Sequence, residues 1–351
     1  LTNRQQLAAE VDHHQQPPEL ARMEWVYGYH GHLTKHNAHY TKFGEVVYPA
    51  ATTVVVFNIG DCHQTHYAGH VDLVSAVKVF HGQSGASIAA SGEIGIRPTV
   101  HVWDTRTLAT LSVLRGFHRY GIAQLDFSPS GEHLVTLGMD PYHCVAVYHW
   151  RSQTRILAAK STWKPCIDVC YLDENTVACC GGKHVYFWKK TETCPVFNKY
   201  RGLYARAQAQ DTYCVAKLGE RMVTGSSAGY IHVWEGRNLV RSIKGHAGLV
   251  HVLETVSTSA GKVLLSGCTS GKIQIWNEKL EIGATFNLAS LGPIDSAICS
   301  LSFDVNMTKI LCATRSCEMF ELEAEERRNV HPGRVADGAA LRRRRTRARS
   351  H

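Results

Sequence analysis

Seven short runs decide how this chain folds: Thr53-Val-Val-Val-Phe57, Val100-His-Val-Trp103, Val145-Ala-Val-Tyr-His-Trp150, His184-Val-Tyr-Phe-Trp188, Tyr230-Ile-His-Val-Trp234, Lys272-Ile-Gln-Ile-Trp276 and Cys317-Glu-Met-Phe320. Most are rich in β-branched residues and each closes on an aromatic, the composition of a strand buried on both faces. The closing aromatics at 57, 103, 150, 188, 234, 276 and 320 stand 46, 47, 38, 46, 42 and 44 residues apart. A period of roughly 40–45 residues is that of a four-stranded propeller blade. Seven marks predict an all-β fold, a seven-bladed β-propeller.

Between the marks the remaining strands recur in order. Gly69-His70, Gly116-Phe-His118 and Gly245-His246 open three of the periods. Alternating runs such as Ile122-Ala-Gln-Leu-Asp-Phe127 and Ile298-Cys-Ser-Leu-Ser-Phe303 follow, then runs closed by small residues, such as Met222-Val-Thr-Gly-Ser226 and Val263-Leu-Leu-Ser-Gly267. Two-residue alternation between Gly-rich turns reads as strands, and helical periodicity is absent from 40 to 322. The pattern is WD40-type, with atypical blades. In the usual motif an Asp six residues before the Trp anchors the histidine of the Gly-His turn. Here those positions hold Arg97, Cys144, Gly182, Ala228 and Ser270. The blades are therefore expected to rely more on apolar packing, with Gly69, His70, Gly245 and His246 as structural turn residues.

Composition excludes several classes. The chain has 351 residues, 44% of them hydrophobic and 19% charged, with 29 Gly against 10 Pro, which suits a packed core rather than a disordered chain. No apolar run approaches the roughly 20 residues that span a bilayer, so no membrane role is expected. The net charge of +8 is local: residues 331–351 carry seven Arg and one Asp, leaving the first 330 residues near +2. Twelve cysteines without any Cys-x2-Cys pair argue for reduced thiols in a cytosolic protein, against both a zinc knuckle and a disulfide framework. The start at Leu1, with neither Met nor an apolar signal core, reads as a fragment of a longer protein.

Ahead of the first period stands Leu20-Ala-Arg-Met-Glu-Trp-Val-Tyr-Gly-Tyr-His-Gly31. It closely resembles the hydrophobic (HELP) segment that opens the propeller region of echinoderm microtubule-associated protein (EMAP)-like proteins, with His30 where that family has Arg. The likeness continues through Gly44-Glu-Val-Val-Tyr48, His66-Tyr-Ala-Gly-His70, Arg97-Pro-Thr-Val-His-Val-Trp-Asp104 and Val223-Thr-Gly-Ser-Ser-Ala-Gly-Tyr-Ile-His-Val-Trp234, so that it spans about residues 20–322. The organisation expected is a polar lead at 1–19, the hydrophobic segment at 20–48, the propeller at 49–325 and a basic tail at 326–351. The resemblance implies a non-catalytic cytoskeletal scaffold that binds αβ-tubulin or microtubules in the cytoplasm, with a cilium also compatible. In the family this segment packs in a seam between two propellers. Without a second propeller Trp25, Tyr27 and Tyr29 would be partly exposed to a partner. Alternatively they fold onto the flank of their own ring.

A second candidate surface is the stretch between Trp188 and Tyr213, read as irregular, which carries Lys189, Lys190, Lys199, Arg201 and Arg206 among Phe197, Tyr200 and Tyr204. Cations steer and aromatics anchor, which suits an acidic protein partner or, less well, RNA. The plainer reading is a solvated connection. Other proteins could also dock on the propeller faces, as on a generic WD40 adaptor. The arginine run 342–349 reads as a disordered tail or a truncated end. No phosphate-binding loop, dinucleotide fingerprint or nucleophile elbow is present, so no catalytic residue, cofactor or metal is assigned. His63-x2-His66-x3-His70 has ligand-like spacing, but the resemblance places His66 in a strand and His70 in a turn.

Overall fold

Each aromatic run becomes the third strand of a meander or ends beside it, and the meanders stand side by side as blades. A computed structural model describes residues 23–323 apart from 32–33, 83–84, 86, 192, 206, 259–260 and 289–296. The lead at 1–19 and the tail at 326–351 lie outside the described residues, as does Arg206. Among the described residues there are 27 strands in seven antiparallel sheets, six of four strands and a last one of three. No described helix is long and apolar enough to cross a membrane.

The inner strands of blades 1 to 7 are His39–Tyr40, Val74–His81, Ile122–Phe127, Cys166–Asp173, Thr212–Leu218, Val250–Thr258 and Ile298–Phe303. Each lies beside the next, and the last returns to the first, which closes a ring around an axis. Blade 1 takes both of its inner strands, His39–Tyr40 and Val46–Ala50, from the region assigned to the lead-in or its border. The core is divided among the seams between blades. One apolar cluster fills each of the seven, from Trp103 and Tyr67 between blades 1 and 2 to Tyr29, Tyr40 and Leu311 between blades 7 and 1.

Seams explain the small residues that close the second strands. A Cβ built on Gly92 would lie 2.7 Å from Ile122, on Gly225 2.7 Å from Val250, and on Gly267 2.8 Å from Ile298. Each of those partners belongs to the inner strand of the next blade. The glycine is required by close approach, not by backbone conformation.

The histidine turns depart from expectation. No Asp stands six residues before the tryptophans, yet two of the histidine turns have an acid, because it comes ten residues before Trp instead. His70 meets Ser91 Oγ at 2.7 Å and Glu93 at 3.2 Å, and Trp103 Nε1 donates to the same Ser91 at 3.0 Å. Glu93 also accepts from the Thr99 amide and hydroxyl at 2.9 and 2.6 Å. Burial raises its carboxyl, but the Thr99 and His70 bonds outweigh that and hold it below the usual range. In blade 3 His118 likewise joins Thr136 at 2.7 Å and Asp140 at 3.1 Å. Of these three histidine turns, that of blade 6 fits the expectation of a missing acid: His246 reaches Ser266 at 2.7 Å while its buried Nδ1 has no partner among the described residues.

Closure itself uses no shared strand among the described residues. Blade 7 ends with Met319–Glu323 as its third strand, and blade 1 is built wholly from consecutive chain. The joint is made by the segment leading into blade 1. The amide of Ala38 donates to Ser300 Oγ at 3.1 Å, which returns a bond to Ala38 O at 3.0 Å. The Tyr40 amide donates to Ser302 Oγ at 3.2 Å, its hydroxyl to Glu321 at 2.9 Å, and the His36 amide to Cys299 O at 2.9 Å. None of the twelve cysteines forms a disulfide, and seven of them are buried.

Replacing Gly267 by Ala is expected to cost about 1–3 kcal/mol through overpacking. Gly283→Ala, whose new methyl would meet nothing closer than 3.8 Å, should be close to neutral. Urea unfolding of the two variants measures the difference; equal midpoints would show that the seams have slack.

Candidate interaction surfaces

The segment that closes the ring also enters its axis. Thr34, Lys35, His36 and Asn37 are polar and nevertheless buried. Lys35 Nζ lies 3.3 Å from Asp168 of blade 4 and donates to Tyr213 O of blade 5, while its own carbonyl accepts from Gln124 of blade 3 at 3.0 Å. His36 sits 3.7 Å from both Asp168 and Glu254. The Lys35 contacts fall near the starts of the inner strands, and His36 reaches further in.

Further along the strands lies a second charged layer. Lys78 of blade 2 stands 3.8 Å from Asp126 of blade 3 and 3.6 Å from Glu254 of blade 6. A cavity of about 210 Å³ opens here, lined by these residues with Cys170 and Lys217. Burial alone would raise the Glu254 carboxyl, yet Lys78 and His36 draw it down to about 2. Asp126 has the weaker share of Lys78: burial raises it, and the cation and the Tyr171 amide only partly offset this. His39 is lowered to about 4 by burial and by Lys78 beside it. Lys78, Asp126 and Glu254 are each the one Asp, Glu, Lys or Arg of their inner strand, and that is the signal the alternating runs carry.

The aromatic trio of the opening segment is divided by the structure. Tyr29 is buried in the closing seam, where it donates to Asn37 and packs edge-on against Tyr48 at 6.1 Å. Burial pushes its hydroxyl well up. It is therefore not accessible to a partner, and the alternative of folding onto the chain's own ring holds for this residue. Trp25 is 38% exposed, with its ring edge-on to Phe57 at 5.7 Å, and Tyr27 is 70% exposed at 6.2 Å from Trp25. Val26 fixes this strip to the outer strand of blade 1 through the Gln64 amide, at 2.9 and 3.3 Å. Met23, Trp25 and Tyr27 thus form an exposed apolar stripe.

The stretch after Trp188 is more regular than expected. His184–Thr191 and Cys194–Arg201 pair as the outer hairpin of blade 4, and the irregular connection begins only after Arg201. Alternation then separates the cations. Lys199 lies over Tyr186 at 3.9 Å and Trp188 at 5.4 Å, and Lys190 over Phe197 at 5.4 Å, all toward blade 3. Arg201 pairs with Tyr186 on that same side. Lys189 and Tyr200 face blade 5. The expected single patch is two.

The turn residues Gly69, His70, Gly245 and His246 are structural in their contacts: a Cβ on Gly69 would strike Tyr67, one on Gly245 would strike Trp276, and both histidines are buried. His66 lies in an outer strand, where its ring nitrogen meets Gln64 at 3.2 Å. Among the described residues no group of three His, Cys, Asp or Glu side chains is placed to hold a metal ion.

Comparison with known proteins agrees with this architecture. Residues 63–322 match the family model described as the echinoderm microtubule-associated protein first beta-propeller, and residues 16–56 match the HELP motif. Echinoderm microtubule-associated protein-like 4 of Mus musculus is 31% identical over 296 residues, covering 76% of this chain and 29% of that protein. Echinoderm microtubule-associated protein-like 1 of Rattus norvegicus is 30% identical over 276 residues, covering 74% and 33%. The chain thus spans about a third or less of the length of these relatives. Among solved structures, the Cps50 (Swd1) beta-propeller domain of Myceliophteria thermophila superposes with a TM-score of 0.60 at 17% identity, covering 71% of this chain and 83% of that one, a likeness of fold.

The axial layers predict a measurable pH dependence. Lys78→Met leaves Glu254 and Asp126 facing each other without their cation, at a cost of about 3 kcal/mol at pH 7. The Glu254 carboxyl of the native chain is held low, so its stabilising share is present above the unfolded carboxylate pKa and fades as pH falls toward 2. In the variant the same carboxyls gain protons more readily in the folded state. The deficit should therefore shrink between pH 7 and pH 4 in thermal melts; a constant deficit would place the loss in packing alone.

Proposed function

This chain belongs to the echinoderm microtubule-associated protein family, and from that premise we propose that its ring is a non-catalytic scaffold binding αβ-tubulin or microtubules in the cytoplasmic cytoskeleton. The carrying observation is the Met23, Trp25 and Tyr27 stripe. The segment matched by the HELP motif spends Tyr29 on closing the ring, while its first aromatics remain on the surface. Aromatic side chains held on a rigid strip supply large contact area at little entropic cost. Lys190 and Lys199, whose ammonium groups are held over Phe197 and Tyr186, offer together with Arg201 a second contact for an acidic partner. Splitting the basic stretch across two faces of one hairpin weakens the RNA reading, because a strand needs cations and stacking rings along one track.

Microtubule co-sedimentation of the 351-residue chain, with soluble αβ-tubulin tested in parallel by gel filtration, examines the proposal. Trp25→Ser with Tyr27→Ser is expected to weaken binding at least about tenfold without altering the melt, since both side chains are outside the seams. Binding retained after truncation at residue 323 assigns the activity to the ring rather than the arginine run. Unchanged affinity in the folded double variant removes the stripe, and no binding in either format removes the tubulin reading.

A further inference from the structure

Between blades 4 and 5, on the ring face that carries the turns from first to second strands, lies a cleft of about 610 Å³. That is within the roughly 300–1,000 Å³ of ligand clefts. Its floor is apolar, made by the buried side chains of Phe187 and Met222, and Tyr200 stands at its wall 41% exposed. Four cations come to it from separate elements: Lys189 from the outer hairpin of blade 4, Lys217 and Arg221 from either side of a blade 5 turn, and Arg237 from the next turn. Arg221 is engaged by Glu235 at 3.3 Å. Among the described residues, Lys189, Lys217 and Arg237 have no carboxylate within ion-pairing distance. Two carboxylates, Asp173 and Glu220, share the lining.

We propose that this cleft is a docking site for an acidic peptide segment of a partner protein, with one apolar or aromatic side chain seated on Phe187 and Met222 and its flanking carboxylates on Lys189, Lys217 and Arg237. Charge complementarity selects the occupant. Three uncompensated cations around an apolar floor match a ligand that is anionic at its edges and apolar at its centre. A polynucleotide carries charge on every unit and no apolar centre. It would meet Asp173 and Glu220 with repulsion and find one exposed ring, Tyr200, on which to stack. A peptide can instead present amide N–H groups to the two carboxylates. The site is built by the seam: Phe187 is fixed against Trp234 at 6.3 Å in the same apolar cluster that holds Met222, so the floor is rigid before any ligand arrives. It differs from the stripe near blade 1 and does not rest on the tubulin reading.

The test is fluorescence anisotropy on the full chain with a labelled pentapeptide of four glutamates flanking one phenylalanine, at low and at physiological salt. Saturable binding is expected, weakened at least about tenfold by Lys189→Glu with Arg237→Glu, and less by the Gln pair at the same sites. Replacing the phenylalanine by serine in the probe should also weaken it. Lys160→Glu with Lys164→Glu, two exposed cations elsewhere, should leave affinity within about twofold. Circular dichroism melts confirm that each variant is folded. Equal losses in both charge-reversed pairs would reduce the effect to general attraction and overturn the proposal. So would absent binding, or an oligouridylate of equal charge that binds more tightly and competes the peptide away. Because the probe contains no tubulin sequence, its failure leaves the sedimentation result standing, and the reverse.

Discussion

Ser300 and Ser302 of the last blade grip the backbone of Ala38 and Tyr40 at the head of the first, and the ring stays closed through that joint. A circular stack of sheets is no stronger than its weakest seam, since one opened seam exposes the apolar faces on both sides. Many rings would solve this by lending a strand from one chain end to the other. Here, among the described residues, blade 7 has three strands and the lead-in does the work with side chains: Tyr29 fills the seam, Tyr40 reaches Glu321, and Gly31 lets the backbone approach Thr314, where a Cβ would lie 2.6 Å from the carbonyl oxygen. The hydrophobic segment is thus part of the core before it is part of any surface.

Closing the ring in this way places Lys35 and His36 on its axis, and their burial would be unfavourable unless the inner strands answered it. They do so with one charge each at matching depth. Asp168 meets Lys35, and Asp126 with Glu254 meets Lys78, so that cations and carboxylates from blades 2, 3, 4 and 6 are tied across the centre. Such pairs give little net stability after desolvation, but they penalise any misplaced register heavily. A slip of the lead-in by one residue would put His36 where Lys35 stands and leave Asp168 without its full cation. The axis therefore specifies how the segment threads as much as how firmly it holds.

The blade count was legible because each aromatic mark obeys a local rule: it falls in or directly beside a third strand, and the period of the chain fixes the period of the ring. The glycines at 225 and 267 were legible at strand ends, but not as contacts, because the residues they make room for, Val250 and Ile298, come 25 and 31 residues later in the next blade. The same limit hid the acids of the histidine turns. Glu93 at the end of its second strand and Asp140 two residues past its own act four residues earlier than the familiar position, and only the folded turn shows that they reach His70 and His118. The stretch after Trp188 reads as irregular because its cations and its proline mask the alternation that, in the folded hairpin, sends Lys189 one way and Lys199 the other. Sequence shows that neighbours in a strand point apart. It does not show which blade each of them faces.

With all seven seams filled, partners are left with the rim and the two faces of the ring. The exposed aromatics are fixed near Phe57, at the end of the third strand of blade 1, and Lys189 marks the corresponding level of blade 4. In a seven-membered ring, blades 4 and 5 are the ones opposite blade 1. The apolar stripe and the cationic cleft thus lie at a similar height on opposite sides of the disc. A short peptide can occupy only one of them. A broad, acidic and repetitive surface would meet both at once, and two weak contacts held at a fixed separation by a rigid disc bind far more tightly than either alone. Rigidity is what makes that gain available, and it comes from the closed joint, which prevents the two sides from moving independently.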